Sequence, residues 1–310
     1  MSMANRDGWI WMDGQWLPWR DATVHAMTHT LHYGLGCFEG LRAYDTPAGP
    51  AIFRLDEHIE RLFDSAHILG LDMPFDRPTL KQACMSAVTR NGLRQAYIRP
   101  LVFLGAEKAG IDPLGAATHV MVAAWVMNAY LGEDGLNRGI RVKVSSFARH
   151  HVNVQMCRAK SVSTYTNSIL ACREARAEGY DEALLLDTDG FVAEGPGENV
   201  FLVKRGVIHE PEITSALDGI TRRTLHTLAA DAGYEIRTRR ITRDELYVAD
   251  EVFFTGTAAE LTPVIELDRR RIGNGRPGPV TRELQRRFFA CVRGEPGNGH
   301  PDWLTPSRAG

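Results

Sequence analysis

The stretch Arg158-Ala159-Lys160-Ser161-Val162-Ser163-Thr164-Tyr165-Thr166-Asn167 begins the region around which the rest of this chain is organised. Residues 168–178, which follow directly, predict a helix that Gly179 ends, because glycine tolerates the positive φ that is common after a helix. Small and hydroxyl side chains surround Lys160, so a bulky group has room to approach its amine. The pattern indicates an accessible lysine just ahead of a helix.

A predicted β-hairpin follows this helix and places a carboxylate at its mouth. Residues 182–187 predict the first strand and Asp189-Gly190 the turn, and a second strand leads into Glu194-Gly195-Pro196-Gly197-Glu198-Asn199. A lysine before the helix and a glutamate after the hairpin, in this order, indicate a cofactor site.

Lysine is scarce in this chain, with five residues against 31 arginines. A lysine that forms a Schiff base needs room for its carbonyl partner and a desolvated or cationic environment that lowers its pKa. Lys160 has that room, whereas Lys81, Lys108, Lys143 and Lys204 lie in settings typical of surface residues. The residues alone leave an ordinary surface lysine as the alternative interpretation of Lys160.

The bulk composition is that of a soluble globular protein, with 44% hydrophobic and 24% charged residues. A formal net charge of −2 gives no reason to expect nucleic acid or an anionic membrane as a partner. No apolar run reaches the roughly 20 residues that span a bilayer, and the first residues lack a signal-peptide pattern. Five scattered cysteines form neither a disulfide framework nor a metal motif, so a cytoplasmic location fits best.

Several short motifs occur in a fixed order along the chain. They are Ala159-Lys160, Tyr165, Gly179-Tyr180-Asp181-Glu182-Ala183, Glu194 to Asn199, Gly219-Ile220-Thr221-Arg222 and Thr255-Gly256-Thr257-Ala258-Ala259-Glu260. Together they resemble the pyridoxal-phosphate aminotransferases of fold type IV, specifically the bacterial branched-chain amino acid aminotransferases. The resemblance extends from about Gly8 to Val292, and it implies a mixed α+β and α/β fold of two domains with the cofactor between them.

The predicted domain division uses the glycine-rich and acidic segment after Met127. Residues 1–127 are predicted to form a small N-terminal α/β domain, 128–139 an interdomain loop, and 140–310 a larger C-terminal domain that binds the cofactor. The Gly- and Pro-rich tail after Arg293 is predicted to be loosely held.

The resemblance implies that Lys160 binds pyridoxal 5'-phosphate and later acts as the acid and base that moves the substrate proton. Glu194 is expected to face the pyridine nitrogen, with Glu198 as the rival, and Tyr165 to approach the ring's 3-oxygen. The phosphate is assigned to Arg61, the N–H groups of Ile220 and Thr221, and Thr257.

Two of these phosphate assignments have alternatives in the residues themselves. Arg61 falls outside the apolar stripe of a helix predicted over residues 55–71 with Asp56 as its N-cap, so a solvated charge is the ordinary interpretation. The predicted helix start at residues 218–221 offers unpaired N–H groups to an anion, but helix starts are common.

Arg99 lies between Ile98 and Pro100 in an otherwise apolar strand predicted over residues 96–105, and it shares a face with Tyr97. A buried arginine needs an anionic partner, which a structural carboxylate would provide. The resemblance favours instead the γ-carboxylate of glutamate or 2-oxoglutarate.

The remaining substrate contacts come from the resemblance alone. Tyr33, Phe38 and Tyr130 are expected to form pocket walls, and the α-carboxylate is expected on the amides of Thr257 and Ala258, with Tyr97. Met127 takes the place of a tryptophan found in many relatives, which makes a softer wall.

The implied function is transamination between branched-chain L-amino acids (leucine, isoleucine, valine) and 2-oxoglutarate, with small-molecule amino acids and 2-oxo acids as partners. D-amino acid aminotransferase, aminodeoxychorismate lyase and (R)-amine transaminase are the alternatives within the fold. A non-catalytic protein of this fold is the alternative outside it, and the presence of Lys160 and Glu194 argues against it.

The resemblance also implies a homodimer or homohexamer with active sites at the subunit interface. Tyr33 and the loop around Gly110 and Ile111 are expected to reach a neighbouring subunit. No metal is expected, because His29 and His32 lack the third ligand that zinc requires.

Overall fold

The computed structural model describes residues 2–128, 130–297 and 299–307. Within them the chain forms two compact units. The first comprises described residues of Met1–Met127, Ala159–Ser163 and Cys291–Gly310, and the second those of Asn128–Arg158 and Thr164–Ala290. The predicted division is therefore corrected: both the segment with Lys160 and the end of the chain belong to the first unit, and residues 128–139 belong to the second.

The described residues form seventeen strands and eight α-helices. The strands are β1 (Trp9–Met12), β2 (Gln15–Pro18), β3 (Gly36–Phe38), β4 (Leu41–Thr46), β5 (Gly49–Phe53), β6 (Ala96–Leu104), β7 (Thr118–Trp125), β8 (Ile140–Val144), β9 (Glu182–Leu186), β10 (Val192–Glu194), β11 (Asn199–Lys204), β12 (Val207–Glu210), β13 (Ile236–Thr238), β14 (Glu251–Gly256), β15 (Glu260–Leu267), β16 (Arg270–Arg271) and β17 (Leu304–Pro306). The helices are α1 (His29–Tyr33), α2 (Leu55–Ile68), α3 (Arg77–Arg90), α4 (Gly132–Arg138), α5 (Tyr165–Ala177), α6 (Ile220–Asp231), α7 (Arg243–Tyr247) and α8 (Pro279–Val292).

The first unit is built on an antiparallel sheet in the order β17-β5-β4-β6-β7-β1-β2, with β3 beside β6. Strands β1 and β2 form a hairpin in which Asp13 (φ 47°) and Gly14 (φ 86°) both have the positive φ of a type I′ turn. Helices α2 and α3 contribute apolar side chains to the core of this unit, among them Ile59, Leu62 and Leu80, which are fully buried.

The start of α2 corrects one prediction. Arg54, in the left-handed conformation (φ 55°), is the N-cap, and Asp56 lies in the first turn instead. Helix α3 begins as capping chemistry predicts, because Asp76 accepts a hydrogen bond from the Thr79 N–H at 2.9 Å.

The described residues 299–307 of the tail are not loosely held, which corrects the prediction for this part of it. Strand β17 pairs with the edge strand β5. Trp303 is 8% exposed, and its ring stacks on His300 with 3.9 Å between centroids, while the Arg54 guanidinium lies 4.5 Å from its centroid. Packing of the Trp303 ring and pairing with the edge strand β5 therefore hold a segment that its composition predicts to be loose.

The second unit contains a nine-stranded mixed sheet in its described residues, in the order β10-β9-β8-β15-β14-β11-β12-β13, with β16 beside β15. Strand β8 runs parallel to both β9 and β15, and β12 runs parallel to β13. Its core is formed by side chains such as Val142, Leu184, Leu202 and Phe254.

Two helices of the second unit differ from their predictions. Helix α4 occupies the segment predicted as an interdomain loop, and the Gln285 side chain of α8 donates to the Leu136 carbonyl in it at 2.9 Å. Helix α5 begins at Tyr165, three residues before the predicted start, because burial of Ala171 and Ala175 outweighs the weak helix propensity of its first residues. No helix in the described parts of the chain is both long and apolar enough to cross a membrane.

Candidate active site

The Lys160 segment is held in the first unit by its backbone. The Lys160 N–H donates to the Ser65 Oγ of helix α2 at 3.0 Å, and the Phe38 N–H donates to the Lys160 carbonyl at 3.1 Å. Ser161 also forms an isolated β-bridge with Cys37. These contacts fix the Lys160 backbone to strand β3 and helix α2, and so fix the point from which the lysine side chain extends.

This lysine and an arginine both lie close to one aromatic ring. The Lys160 Nζ lies 5.0 Å from the centroid of the Phe38 ring, and the Arg99 guanidinium carbon lies 4.4 Å from the same centroid. Arg99 Nη2 also donates to the Tyr97 hydroxyl at 3.1 Å. The predicted shared face of Tyr97 and Arg99 is confirmed, and the structure adds Phe38 and Lys160 to the same group.

Arg99 has capacity for an anion. Its Nε is buried and has no hydrogen-bond partner among the described residues. A buried unpaired donor on a cation is costly, because the lost hydration is not replaced. This nitrogen therefore identifies a place where an acceptor from a bound molecule would be stabilised.

Arg61 forms a buried ion pair with Glu39. Its Nε and Nη2 donate to the two oxygens of the Glu39 carboxylate, at 2.6 and 3.0 Å, and Glu39 is fully buried. His58 Nδ1 donates to the same carboxylate at 2.7 Å. Arg61 is not a solvated helix-face charge, and a guanidinium with five donors can bind an anion while it binds Glu39.

Titration of this cluster follows from its burial. Burial opposes ionisation of the Glu39 carboxyl, but the charges and hydrogen bonds of Arg61 and His58 hold its pKa well below its ordinary value. Burial also lowers the pKa of His58, although Glu39 opposes this. The cluster therefore consists of a carboxylate, a guanidinium and a neutral imidazole.

Tyr33 lies at the exposed end of helix α1. Its hydroxyl accepts from the Gly110 N–H at 3.2 Å, and the His29 Nε2 lies 2.8 Å from the Gly110 carbonyl oxygen. Tyr33 is half exposed, and Ile111 beside this loop is 90% exposed. Helix α1 and the Gly110 loop thus form one hydrogen-bonded surface with large apolar groups on it.

In the second unit, Glu194 ends strand β10 and is surrounded by donors. Its Oε1 accepts from Arg149 Nη2 at 2.8 Å, and its Oε2 accepts from the Leu217 N–H at 3.1 Å and the Asn199 side chain at 3.3 Å. The Glu194 side chain is 7% exposed. Three donors around a buried carboxylate stabilise its ionised form.

Glu198, the predicted rival of Glu194, has a hydrogen bond within the turn. Its Oε2 accepts from the Gly197 N–H at 3.0 Å. Gly195 approaches so closely that a Cβ there would lie 2.7 Å from this oxygen.

Tyr130, a predicted pocket wall, has a perturbed hydroxyl. Burial, with Glu198 as a further cause, raises the pKa of the Tyr130 hydroxyl, although 44% of the Tyr130 surface is exposed.

The N-terminus of helix α6 is open to an acceptor. Its N-cap is Gly219, no side chain caps it, and Ile220 and Thr221 occupy its first two positions. A Cβ on Gly219 would lie 2.0 Å from the Asn199 Oδ1, so only glycine fits there. The first N–H groups of a twelve-residue helix carry partial positive charge and suit a phosphate.

A tight turn joins strands β14 and β15. Gly256 pairs with Glu260, so Thr257, Ala258 and Ala259 form the turn itself. The Thr262 hydroxyl donates to the Ala259 carbonyl at 2.6 Å, and this hydrogen bond holds the turn in place. Thr257 and Ala258 are half-buried, as residues that present N–H groups to a ligand must be.

Comparison with known proteins decides the family. A family model described as amino-transferase class IV matches residues 36–267, about three quarters of the chain. The chain is a class IV aminotransferase. Its fold is the mixed α/β fold of that class.

The relatives of this class IV aminotransferase are similar over almost their whole length. A branched-chain-amino-acid aminotransferase of Pseudomonas aeruginosa is 56% identical and covers 98% of this chain and 99% of its own. One from Escherichia coli K12 is 45% identical, with 93% and 94% covered. A crystal structure of the T.th. branched-chain amino acid aminotransferase with pyridoxamine 5'-phosphate has a TM-score of 0.94, 48% identity, and 98% and 99% coverage.

Two residues of the site were missed by sequence reasoning. Neither Glu39 nor Arg149 has a role predicted from its position in the sequence. Both are charged residues among apolar or aromatic neighbours, Glu39 next to Phe38 and Arg149 after Phe147-Ala148. That pattern predicts a buried ion pair, although it does not identify the partner.

Proposed function

We propose that this class IV aminotransferase binds pyridoxal 5'-phosphate and transfers the amino group between branched-chain L-amino acids and 2-oxoglutarate. The observation that carries the proposal is the group formed by Lys160, Phe38 and Arg99, in which an amine and a guanidinium both lie close to one aromatic ring. The names of its relatives support the same substrates.

The residues present fit the cofactor. The uncapped start of helix α6 and the Arg61 guanidinium are donors for a phosphate, and Thr257 lies in a turn that presents N–H groups. The ionised Glu194 suits a protonated ring nitrogen, and Tyr165 begins helix α5 as the donor for the ring oxygen. When bound, the cofactor supplies the electron sink that stabilises negative charge at the substrate Cα.

Lys160 moves the proton. Its amine would take the proton from the substrate Cα as a general base and return a proton at the cofactor's C4′ as a general acid. The hydrogen bonds of its backbone to Ser65 and Phe38 keep the side chain in one place during both transfers. Glu194 keeps the proton of its partner nitrogen in place throughout.

The amino-acid pocket accepts two kinds of side chain. The Phe38 ring is an apolar wall for leucine, isoleucine or valine. The Arg99 Nε, which has no partner among the described residues, offers a donor to the γ-carboxylate of glutamate or 2-oxoglutarate. Tyr97 fixes Arg99, and Tyr33 and Tyr130 are further walls. The α-carboxylate binds the amides of Thr257 and Ala258.

The proposal extends to assembly in the cytoplasm as a homodimer or homohexamer. Three large apolar residues near Tyr33 and the Gly110 loop support it: Leu31, Ile111 and Leu114 are 66%, 90% and 78% exposed. Such a cluster is typical of a protein interface. Tyr33 and this loop would then belong to the active site of a neighbouring subunit.

The visible spectrum of the holoenzyme tests the function. We expect L-leucine, L-isoleucine, L-valine and L-glutamate each to change the spectrum within one half-reaction, and the matching 2-oxo acids to reverse it. A response to D-amino acids or (R)-amines, with none to L-leucine, would support one of the alternative activities of the fold.

Glutamine substitutions decide between the two carboxylates. Glu194→Gln is expected to lower turnover far more than cofactor content, because a neutral amide does not hold a proton on the ring nitrogen. Glu198→Gln is the matched control from the same turn. A larger loss in Glu198→Gln than in Glu194→Gln would reassign the role to Glu198.

A further inference from the structure

Arg149 is a buried arginine whose two ends are fixed. Its backbone N–H donates to the Leu186 carbonyl at 2.7 Å, and its Nε donates to the Ser215 carbonyl at 3.2 Å. Its Nη2 donates to the Glu194 Oε1 at 2.8 Å, with the two side chains 5% and 7% exposed. These hydrogen bonds hold the guanidinium in one orientation, with its positive charge next to the Glu194 carboxylate.

Burial alone would make Glu194 a poor anion. A carboxyl removed from water favours its neutral form unless a cation or hydrogen bonds stabilise the charge. The Leu217 N–H and the Asn199 side chain provide two neutral donors to Oε2, and Arg149 adds a full positive charge at Oε1. The attraction between the guanidinium and carboxylate charges adds to the hydrogen bond that joins them.

We infer that Arg149 is a positioning residue that keeps Glu194 ionised and oriented, so that the proton shared with the cofactor's ring nitrogen stays on the nitrogen. The inference rests on the proposed function. The guanidinium is nearer to the carboxylate than to a nitrogen bound by that carboxylate. Its field therefore favours negative charge on Glu194 more strongly than it opposes positive charge on the nitrogen.

Removal of this charge has a defined consequence. Without Arg149, Glu194 would be a stronger base and would draw the shared proton away from the cofactor's ring nitrogen. A neutral ring stabilises negative charge at the substrate Cα less well, so proton removal by Lys160 slows. Substrate binding has no reason to change, and the effect falls on the rate of the half-reaction and not on KM.

Three substitutions separate charge from contact. Arg149→Lys keeps the positive charge, Arg149→Gln keeps amide donors without the charge, and Arg149→Met removes both. The same Arg→Gln substitution at Arg239, which pairs with Glu245 at 2.7 Å elsewhere in the second unit, is the matched control for loss of an arginine–glutamate pair. Arg239→Gln should leave the spectrum and the rate unchanged.

The direct measurement is the ¹⁵N chemical shift of cofactor labelled at the ring nitrogen and bound to each variant. We expect Arg149→Gln and Arg149→Met to move this shift toward that of a neutral pyridine and to slow the leucine half-reaction on the order of tenfold or more. Arg149→Lys should keep the ¹⁵N shift and the half-reaction rate close to their wild-type values. The dissociation constant of the cofactor and the thermal unfolding midpoint, measured alongside, report any loss of fold.

The outcomes distinguish a failure of the inference about Arg149 from a failure of the proposed function. A wild-type ¹⁵N shift in Arg149→Gln, with a half-reaction rate within about twofold of the wild-type rate, overturns the inference. Equal effects of the lysine and glutamine variants would also overturn it, because only the contact would then matter. If Glu194→Gln itself leaves the shift and rate unchanged, the assignment of Glu194 fails, whatever Arg149 does.

Discussion

At Lys160, the amine lies 5.0 Å from the centroid of the Phe38 ring, on a segment fixed by Ser65. Lys160→Ala is expected to nearly abolish transamination, because no other side chain takes its place as acid and base. The visible spectrum of the reconstituted variant should lack the covalent cofactor adduct. Lys143→Ala, at a lysine paired with Glu178, is the control. Near-normal turnover in Lys160→Ala would refute the catalytic assignment.

Arg99 is expected to separate the two classes of substrate. Its Nε has no partner among the described residues, and a glutamate γ-carboxylate would provide one. Arg99→Met should cost glutamate and 2-oxoglutarate about 2–5 kcal/mol in the half-reaction, the usual loss when one partner of a buried charge pair is removed. Leucine, which forms no such pair, should lose less.

Stopped-flow half-reactions of Arg99→Met with L-leucine and L-glutamate measure this difference. Tyr97→Phe is the useful companion, since it removes the hydroxyl that accepts from Arg99 and keeps the ring. Equal losses for the two amino acids would show that Arg99 supports the pocket or the α-carboxylate, and the dual-substrate pocket would need another cation.

Helix α2 carries its functional side chains on one face. His58, Arg61 and Ser65 are spaced at three and four residues, so they project in the same direction, while Ile59 and Leu62 fill the core. The helix thus positions both Arg61 and the backbone of Lys160. One rigid element connects the two, so a shift of α2 would move both.

The ion pair on this helix predicts a pH dependence of stability. In the folded state the pKa values of Glu39 and His58 both lie below their ordinary values. The unfolded state therefore binds more protons, and unfolding becomes easier as pH falls, first below about 6.5 for His58 and then below about 4.3 for Glu39. Stability is fully present above these values.

Glu39→Gln tests this prediction by chemical denaturation at several pH values. At pH 7 it should lower the free energy of unfolding by about 3–5 kcal/mol, because Arg61 is left buried without its anion. The difference from wild type should shrink as pH falls through the acid range. Asp45→Asn, in an exposed bidentate pair with Arg94, is the matched control and should have little effect. A pH-independent difference would contradict the linkage.

At the scale of the whole molecule, the chain returns at its end to the unit in which it began. Trp303→Ala should destabilise the first unit by about 3 kcal/mol, as for other large aromatic residues removed from a core. The substitution removes the packing of the indole against Phe53, Arg54 and His300. Two-step thermal unfolding, with only the first unit affected, is the expected observation in calorimetry; an unchanged transition would mean that the tail does not contribute.

The tight turns and the positions of the motifs were determined by the sequence alone. Both residues of Asp13-Gly14 and of Arg205-Gly206 have positive φ, which suits tight hairpin turns with glycine at the second position. Lys160 among small and hydroxyl residues, Glu194 after the second hairpin strand and Arg99 on the same strand face as Tyr97 were likewise identifiable as candidates. These features depend on local conformational preferences and on residues a few positions apart.

Tertiary structure alone decided which charges are paired. Glu39 lies 22 residues from Arg61, and Glu194 lies 45 residues from Arg149, so no local pattern names the partner. The same is true of the tail, which composition marks as loose but β5 and Arg54 hold in place. Burial of a charge is compensated only by a specific group brought close by the fold, and that proximity depends on long-range packing, which local sequence preferences do not encode.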